Sequence, residues 1–207
     1  MTLSYGKILS CPYCQAEREV MELSSGNTFG AKFWSDNRCV APMLPYVSPV
    51  LKCPECGMYY FRSEASKRSS DNYSFDDGRM SYEEWKEAYA QFLDDELQEP
   101  LLSSMRIWLV QAFNDRFYRS CETDDPSAEE QQYIDAVILD LIASREWRDP
   151  GSIVFKAELY REAGQMELCT LTLDETDTDG HSEMVKKAVA GMRERVKSGD
   201  RRVFVLS

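Results

Sequence analysis

Apolar and polar residues follow two different rhythms along this chain. Up to residue 62, short β-type runs alternate with turn residues; beyond residue 80, apolar positions recur at helical spacing. The stretch between them, SEASKRSSDNYSFDDGRM (63–80), is rich in Ser and Asp and poor in aliphatic residues, and it reads as a linker.

Six helices are predicted beyond it. Ser81 and Glu84 form a capping box at the start of the first, each side chain satisfying a backbone N–H. Tyr82, Trp85, Tyr89, Phe92 and Leu93 then make an apolar stripe running to about Leu97. Pro100 ends that pattern and opens a second helix, Leu101 to Tyr118, which is apolar nearly all round and should therefore be covered on several sides. A third begins at Ser127, with Glu130 as its capping partner and Ile134, Val137, Ile138, Leu141 and Ile142 as its stripe. Pro150 and Gly151 precede a fourth helix through about Ala163, Gly164 turns the chain, and Gln165 to Asp174 forms a short fifth. The sixth, Ser182 to Lys197, is followed by an extended tail over Val203 to Leu206. Short turns between helices imply stacked antiparallel pairs.

The fourth and fifth helices carry the spacing Ala157-x2-Tyr160-x3-Gly164-x-Met166-x2-Cys169-x3-Leu173. It resembles the tetratricopeptide pattern, in which small residues let two helices approach and Gly permits the turn. Cys169 occupies a small-residue position, which makes it a packing residue and not a reactive thiol.

The first 62 residues carry the chemistry. Cys11-Pro12-Tyr13-Cys14 and Cys53-Pro54-Glu55-Cys56 are two CxxC pairs separated by 38 residues. Four thiolates at two tight turns suit one tetrahedral Zn2+, and a closed set of four leaves no position for water, so the metal is expected to be structural. Iron can use the same ligands. Cys-Pro-Tyr-Cys also resembles the glutaredoxin motif, but redox work needs a βαβ setting that the downstream pattern does not supply. Between the pairs, KFWSDNRCVAPML (32–44) reads as a hairpin turning at Asp36-Asn37, with Trp34 opposite Cys39. Cys39 is expected to pack beside Trp34 and not to ligate the metal. Pro42, Pro45 and Pro49 favour an extended return towards Cys53.

Charge narrows the partners. Of a net −12, residues 1–62 hold six Lys/Arg and five Asp/Glu, so the remainder carries −13. An acidic body repels phosphate backbones and argues against nucleic acid as the main partner. The start of the chain has no continuous apolar stretch and no run approaches the ~20 apolar residues of a membrane span. A cytoplasmic location and no membrane partner are expected.

Other candidates are thin. His181 is the only histidine and lies in an acidic turn, so no Ser-His or Cys-His nucleophile pair is visible unless it serves. Glu175-x-Asp177-x-Asp179-Gly180 faintly resembles a calcium loop, but Lys186 stands where the bidentate Glu belongs. The runs Asp94-Asp95-Glu96 and Asp124-Asp125 read as solvated helix ends. Asn114-Asp115-Arg116 interrupts an apolar helix and reads as an internal polar tie between helices.

The cysteine pairs, SGNTFGAKFWSDNR, the APMLP run, AFNDR and KAELYREAG together resemble uncharacterised bacterial proteins that join an N-terminal zinc ribbon to tetratricopeptide-like helices. The likeness spans most of the chain and is most specific over residues 10–61. It implies zinc at Cys11, Cys14, Cys53 and Cys56, a bacterial cytoplasmic setting and stacked helix pairs, and it brings no established activity. The expected fold is mainly α with a small β part: a four-cysteine zinc ribbon (1–62), the linker (63–80) and an antiparallel helix-pair bundle (81–207). The expected function is a non-enzymatic protein-interaction or scaffold module. A nucleic-acid accessory protein and an enzyme or redox protein with an atypical site are the alternatives.

Overall fold

The computed structural model describes residues 2–3, 6–44, 46–119, 125–176 and 180–206. The chain divides into two compact units, Met1–Ala31 with Val40–Gln91, and Lys32–Cys39 with Phe92–Ser207. The boundaries therefore differ from the expected ones at three places.

The first unit is built from short antiparallel strands. β1 (Thr2–Leu3) pairs with β4 (Leu23–Ser25), and β2 (Lys7–Ser10) lies between β3 (Glu17–Val20) and β9 (Ser66–Ser69). β7 (Val50–Lys52) pairs with β8 (Tyr59–Phe61), placing Leu51 opposite Tyr60. Leu9, Val20, Leu51, Tyr60 and Ala65 pack with Cys11 and Cys53 into one small core.

The segment 63–80 is not a linker. β9 forms within it and pairs with β2 from Lys7↔Ser69 to Ser10↔Ser66. Further along, the Met21 N–H donates to the Asp76 carbonyl at 2.7 Å and the Ser48 N–H to that of Asp77 at 3.0 Å. Arg18 grips the Asp76 carboxylate through two nitrogens, at 2.6 and 2.8 Å, and reaches the Lys52 carbonyl at 3.1 Å. The polar composition that suggested a linker instead supplies the groups that bind this segment to strand backbone.

Helix α1 (Tyr82–Asp94) also falls mostly in the first unit, the division passing between Gln91 and Phe92. The Gln91 amide meets the Tyr59 backbone twice, accepting from its N–H at 2.8 Å and donating to its carbonyl at 2.9 Å, as a neighbouring strand would. Glu87 accepts from the Tyr59 hydroxyl at 2.6 Å and from Lys52 Nζ at 2.9 Å. The predicted capping box is present, with Ser81 Oγ accepting from the Glu84 N–H and Glu84 from the Ser81 N–H. Leu93, assigned to the buried stripe, is 44% exposed.

The second unit contains α2 (Leu101–Phe117), α3 (Ala128–Ser144), α4 (Pro150–Glu162), α5 (Met166–Asp174) and α6 (Glu183–Ser198). α2 is buried on several sides, including six consecutive residues from Leu109 to Asn114. α4 and α5 pack against each other across Gly164, whose φ of 74° is one that a side chain resists. Ala157, Cys169, Leu173, Ala188 and Met192 fill the space between α4, α5 and α6. Burial pushes the Cys169 thiol up to about 12, in keeping with a packing role.

This unit also takes residues Lys32–Cys39 from the stretch that separates the cysteine pairs. β5 (Lys32–Phe33) and β6 (Cys39–Val40) form a hairpin, and the C-terminal tail runs along its edge. The Ser35 N–H donates to the Phe204 carbonyl at 2.9 Å, the Leu206 N–H to that of Phe33 at 2.7 Å, and Trp34 forms a bridge with Val205.

The expected turn is off by one residue. Asn37 N–H donates to the Trp34 carbonyl and Trp34 N–H to the Arg38 carbonyl, closing a three-residue loop with only Asn37 at positive φ (62°). Trp34 therefore faces Arg38, and Phe33 faces Cys39. The extra residue turns Asp36 inward, where it is fully buried.

Candidate metal centre

Each CxxC sits at the tip of a hairpin, between β2 and β3 or between β7 and β8, and the two tips repeat one backbone design. Cys11 N–H donates to the Ala16 carbonyl (2.9 Å) and Gln15 N–H to that of Cys11 (2.9 Å). In the second tip, Cys53 N–H donates to Met58 (2.9 Å) and Gly57 N–H to Cys53 (3.0 Å). The residue after each second cysteine is left-handed, Gln15 at φ 65° and Gly57 at φ 75°. This reversal leaves the following N–H, of Ala16 or Met58, hydrogen-bonded to the sulfur of Cys14 or Cys56.

The four sulfurs converge. Cys11 Sγ is 3.8 Å from Cys56 Sγ, Cys14 Sγ is 3.6 Å from Cys53 Sγ, and all four lie within 4.8 Å of one another. Sulfurs bound at ~2.3 Å to a tetrahedral centre stand roughly 3.8 Å apart, so the spacing fits one zinc-sized ion. Among the described residues this is the one group of three or more His, Cys, Asp or Glu whose ligand atoms converge in this way. Cys11 and Cys53 are buried, while Cys14 and Cys56 are exposed.

No family model, curated protein or solved structure matches this chain. What defines the centre is its own geometry and the electrostatics of its thiols.

Four thiols this close cannot all ionise without a cation. Burial opposes ionisation of Cys53, but the Cys56 and Glu55 N–H groups and the Cys14 thiol overcome it and bring Cys53 down to about 7. At Cys56 the Met58 N–H works the other way from burial and from the three neighbouring sulfurs, which together push it up to about 12. Cys14 is likewise raised, its Ala16 N–H outweighed by burial and by Cys53 and Cys11. One site is thus poised to lose its proton first, and a bound cation would draw off the others.

Cys39 takes no part in the cluster and is exposed. It lies opposite Phe33, and the Trp34 indole instead faces Arg119, whose guanidinium carbon is 5.3 Å from the ring centroid. Asp94, Asp95 and Glu96 are exposed. Residues 177–179 of the calcium-like turn and Asp124 lie outside the described residues. Among the described residues, no helix is long and apolar enough to cross a membrane.

Of Asn114-Asp115-Arg116, Asn114 is fully buried in a polar cluster, while Asp115 lies at its exposed edge and Arg116 is exposed. Asn114 Nδ2 donates to Asp36 Oδ2 (3.1 Å) and to Glu162 Oε2 (2.8 Å), joining the hairpin, α2 and α4. Arg119 donates to both oxygens of Asp36 and to Asp115 (2.7 Å), while Arg38 reaches Asp115 and Gln111. The one available signal was a polar run inside an apolar helix; nothing local pointed to Asp36 or Glu162.

Proposed function

We propose that Cys11, Cys14, Cys53 and Cys56 hold one structural Zn2+ and that the protein is a non-enzymatic interaction or scaffold module. The observation that carries the metal reading is the match between the sulfur spacing and a tetrahedral thiolate site closed by protein on all four corners. The ion would join two hairpins whose shared core is too small to hold them firmly by burial alone. Stacked tetratricopeptide-like helices in the second unit are part of the same reading.

The interaction reading draws on aromatic residues that the first unit leaves in solvent. Phe29 is 85% exposed, Phe75 80%, Tyr73 57% and Tyr13 50%. Large exposed aromatic side chains are costly to keep wet and are favoured where proteins meet.

Metal analysis should find one zinc per chain, unchanged in Cys39→Ala and lost in Cys53→Ser. Affinity capture followed by reconstitution from purified components should give one stoichiometric protein partner, with binding weakened in the Phe29→Ser, Phe75→Ser variant. Turnover on a screened substrate class, or salt-sensitive oligonucleotide binding, would replace the scaffold reading with one of its alternatives.

A further inference from the structure

One polar cluster inside the helical unit contains more acid than base. Asp36, Glu158 and Glu162 are buried at 1%, 1% and 3% exposure, and two arginines are buried beside them. Each arginine already has its own carboxylate. Arg119 donates to both oxygens of Asp36, and Arg161 donates to both oxygens of Glu158, at 2.8 and 2.5 Å. Arg161 has its remaining nitrogen on the Asp200 carbonyl at 2.6 Å. Among the described residues, Glu162 is left without a guanidinium on its side chain: Arg201 binds its backbone carbonyl at 2.7 Å and pairs with Asp135 instead.

What Glu162 does have is Asn114. The amide nitrogen donates to Glu162 Oε2, while Glu162 Oε1 and Asn114 Oδ1 are both buried with no hydrogen-bond partner among the described residues. Two acceptor oxygens on adjoining groups cannot satisfy each other, but a single proton between them can. A carboxylic acid and a primary amide then exchange two hydrogen bonds, N–H to one acid oxygen and acid O–H to the amide oxygen.

We infer that Glu162 is a buried proton-binding site, carrying a neutral carboxylic acid whose hydroxyl donates to Asn114 Oδ1. The proton serves as the missing cation of the cluster. Among the described residues, no group of three or more His, Cys, Asp or Glu ligand atoms converges at this site. An unpaired carboxylate in this interior is strongly disfavoured, whereas the acid–amide pair leaves no buried charge and no unmet acceptor.

The surrounding charges agree in sign. Burial first, then Glu158 and Asp36, raise the Glu162 carboxyl well above the ordinary glutamate range, and Arg161 and Asn114 only partly oppose them. Asp36 is also pushed up by burial and by Glu158, with the Arg119 guanidinium, Asn114 and the Arg38 N–H opposing. The other titratable groups facing the site are Asp115 on α2, Asp135 on α3 and Arg201 on the tail, with Tyr118 at the end of α2, itself raised chiefly by burial.

Linkage fixes the direction. An acid whose folded midpoint lies above its unfolded one stabilises the fold fully below the ordinary glutamate range, and that contribution is lost as pH rises towards the folded midpoint. The contribution of Glu162 therefore weakens the helical unit from mildly acidic to alkaline pH.

The test is carbon-detected NMR of the full-length protein, with the Glu162 side-chain carboxyl assigned by through-bond correlation to its own amide. At pH 7 its resonance is expected at the protonated position, with titration starting only well above the ordinary glutamate range. A resonance at the ionised position at pH 7 overturns the proposal. Thermal unfolding of Glu162→Gln supplies the second reading, because Gln offers Asn114 the same donor and acceptor without titrating. The fall in unfolding midpoint from pH 5 to pH 9 should be shallower in E162Q than in wild type; equal slopes would assign the dependence elsewhere and overturn the linkage.

Discussion

Gln15 and Gly57 hold equivalent backbone positions in the two cysteine turns, and only one of them is glycine. A side chain in the left-handed region costs about 1–2 kcal/mol relative to glycine, so the first turn carries strain that the second avoids. Gln15→Gly is expected to stabilise the metal-loaded protein by about 1 kcal/mol, read from the denaturant midpoint of the first unit. A larger cost attaches to Arg119. Removing its guanidinium leaves Asp36 as a buried carboxylate without its cation. Arg119→Ala should lose about 3–5 kcal/mol in equilibrium unfolding, while Arg119→Lys should recover part of it. The sequence offered no hint of this, because Arg119 and Asp36 lie 83 positions apart.

Helix α3 illustrates what local sequence can specify. Ser127 accepts from the Glu130 N–H and Glu130 accepts from the Ser127 N–H, the reciprocal pair the sequence predicts, and Ile134, Val137, Ile138, Leu141 and Ile142 are all buried as the spacing requires. Ser127→Ala should cost about 1 kcal/mol, measurable as a lower thermal midpoint of the helical signal. The β5–β6 hairpin was less legible. Asp36-Asn37 is good turn chemistry, yet the loop takes in Ser35, because Ser35 is engaged from both sides by Phe204: its N–H donates to the Phe204 carbonyl and its hydroxyl accepts the Phe204 N–H at 3.0 Å. A distant tail thus decides the register of a local turn. Segment 63–80 fails for a related reason: Ser and Asp satisfy backbone in loops and along strand edges alike, and composition does not distinguish the two.

At the scale of the molecule, each unit has its own core, one around Leu9, Leu51 and Tyr60 and another around Ala157, Cys169 and Met192. With zinc as the proposed tie of the first, chelation should release one equivalent of metal and abolish protection of amides in β2, β7 and β8. Hydrogen exchange in α3 to α6 should be little changed by the same treatment. The chain by itself determined the helices and the four-cysteine group: helical spacing, capping pairs and two CxxC turns are local patterns, and local geometry enforces them. Tertiary structure alone decided where the elements go. Hairpin 32–39 joins the helices and α1 falls mainly with the strands, since those choices depend on which edges and buried charges find complements across long stretches of chain. The same holds for Glu162, whose state is set by the balance of three carboxylates and two guanidiniums that meet only once the chain has folded.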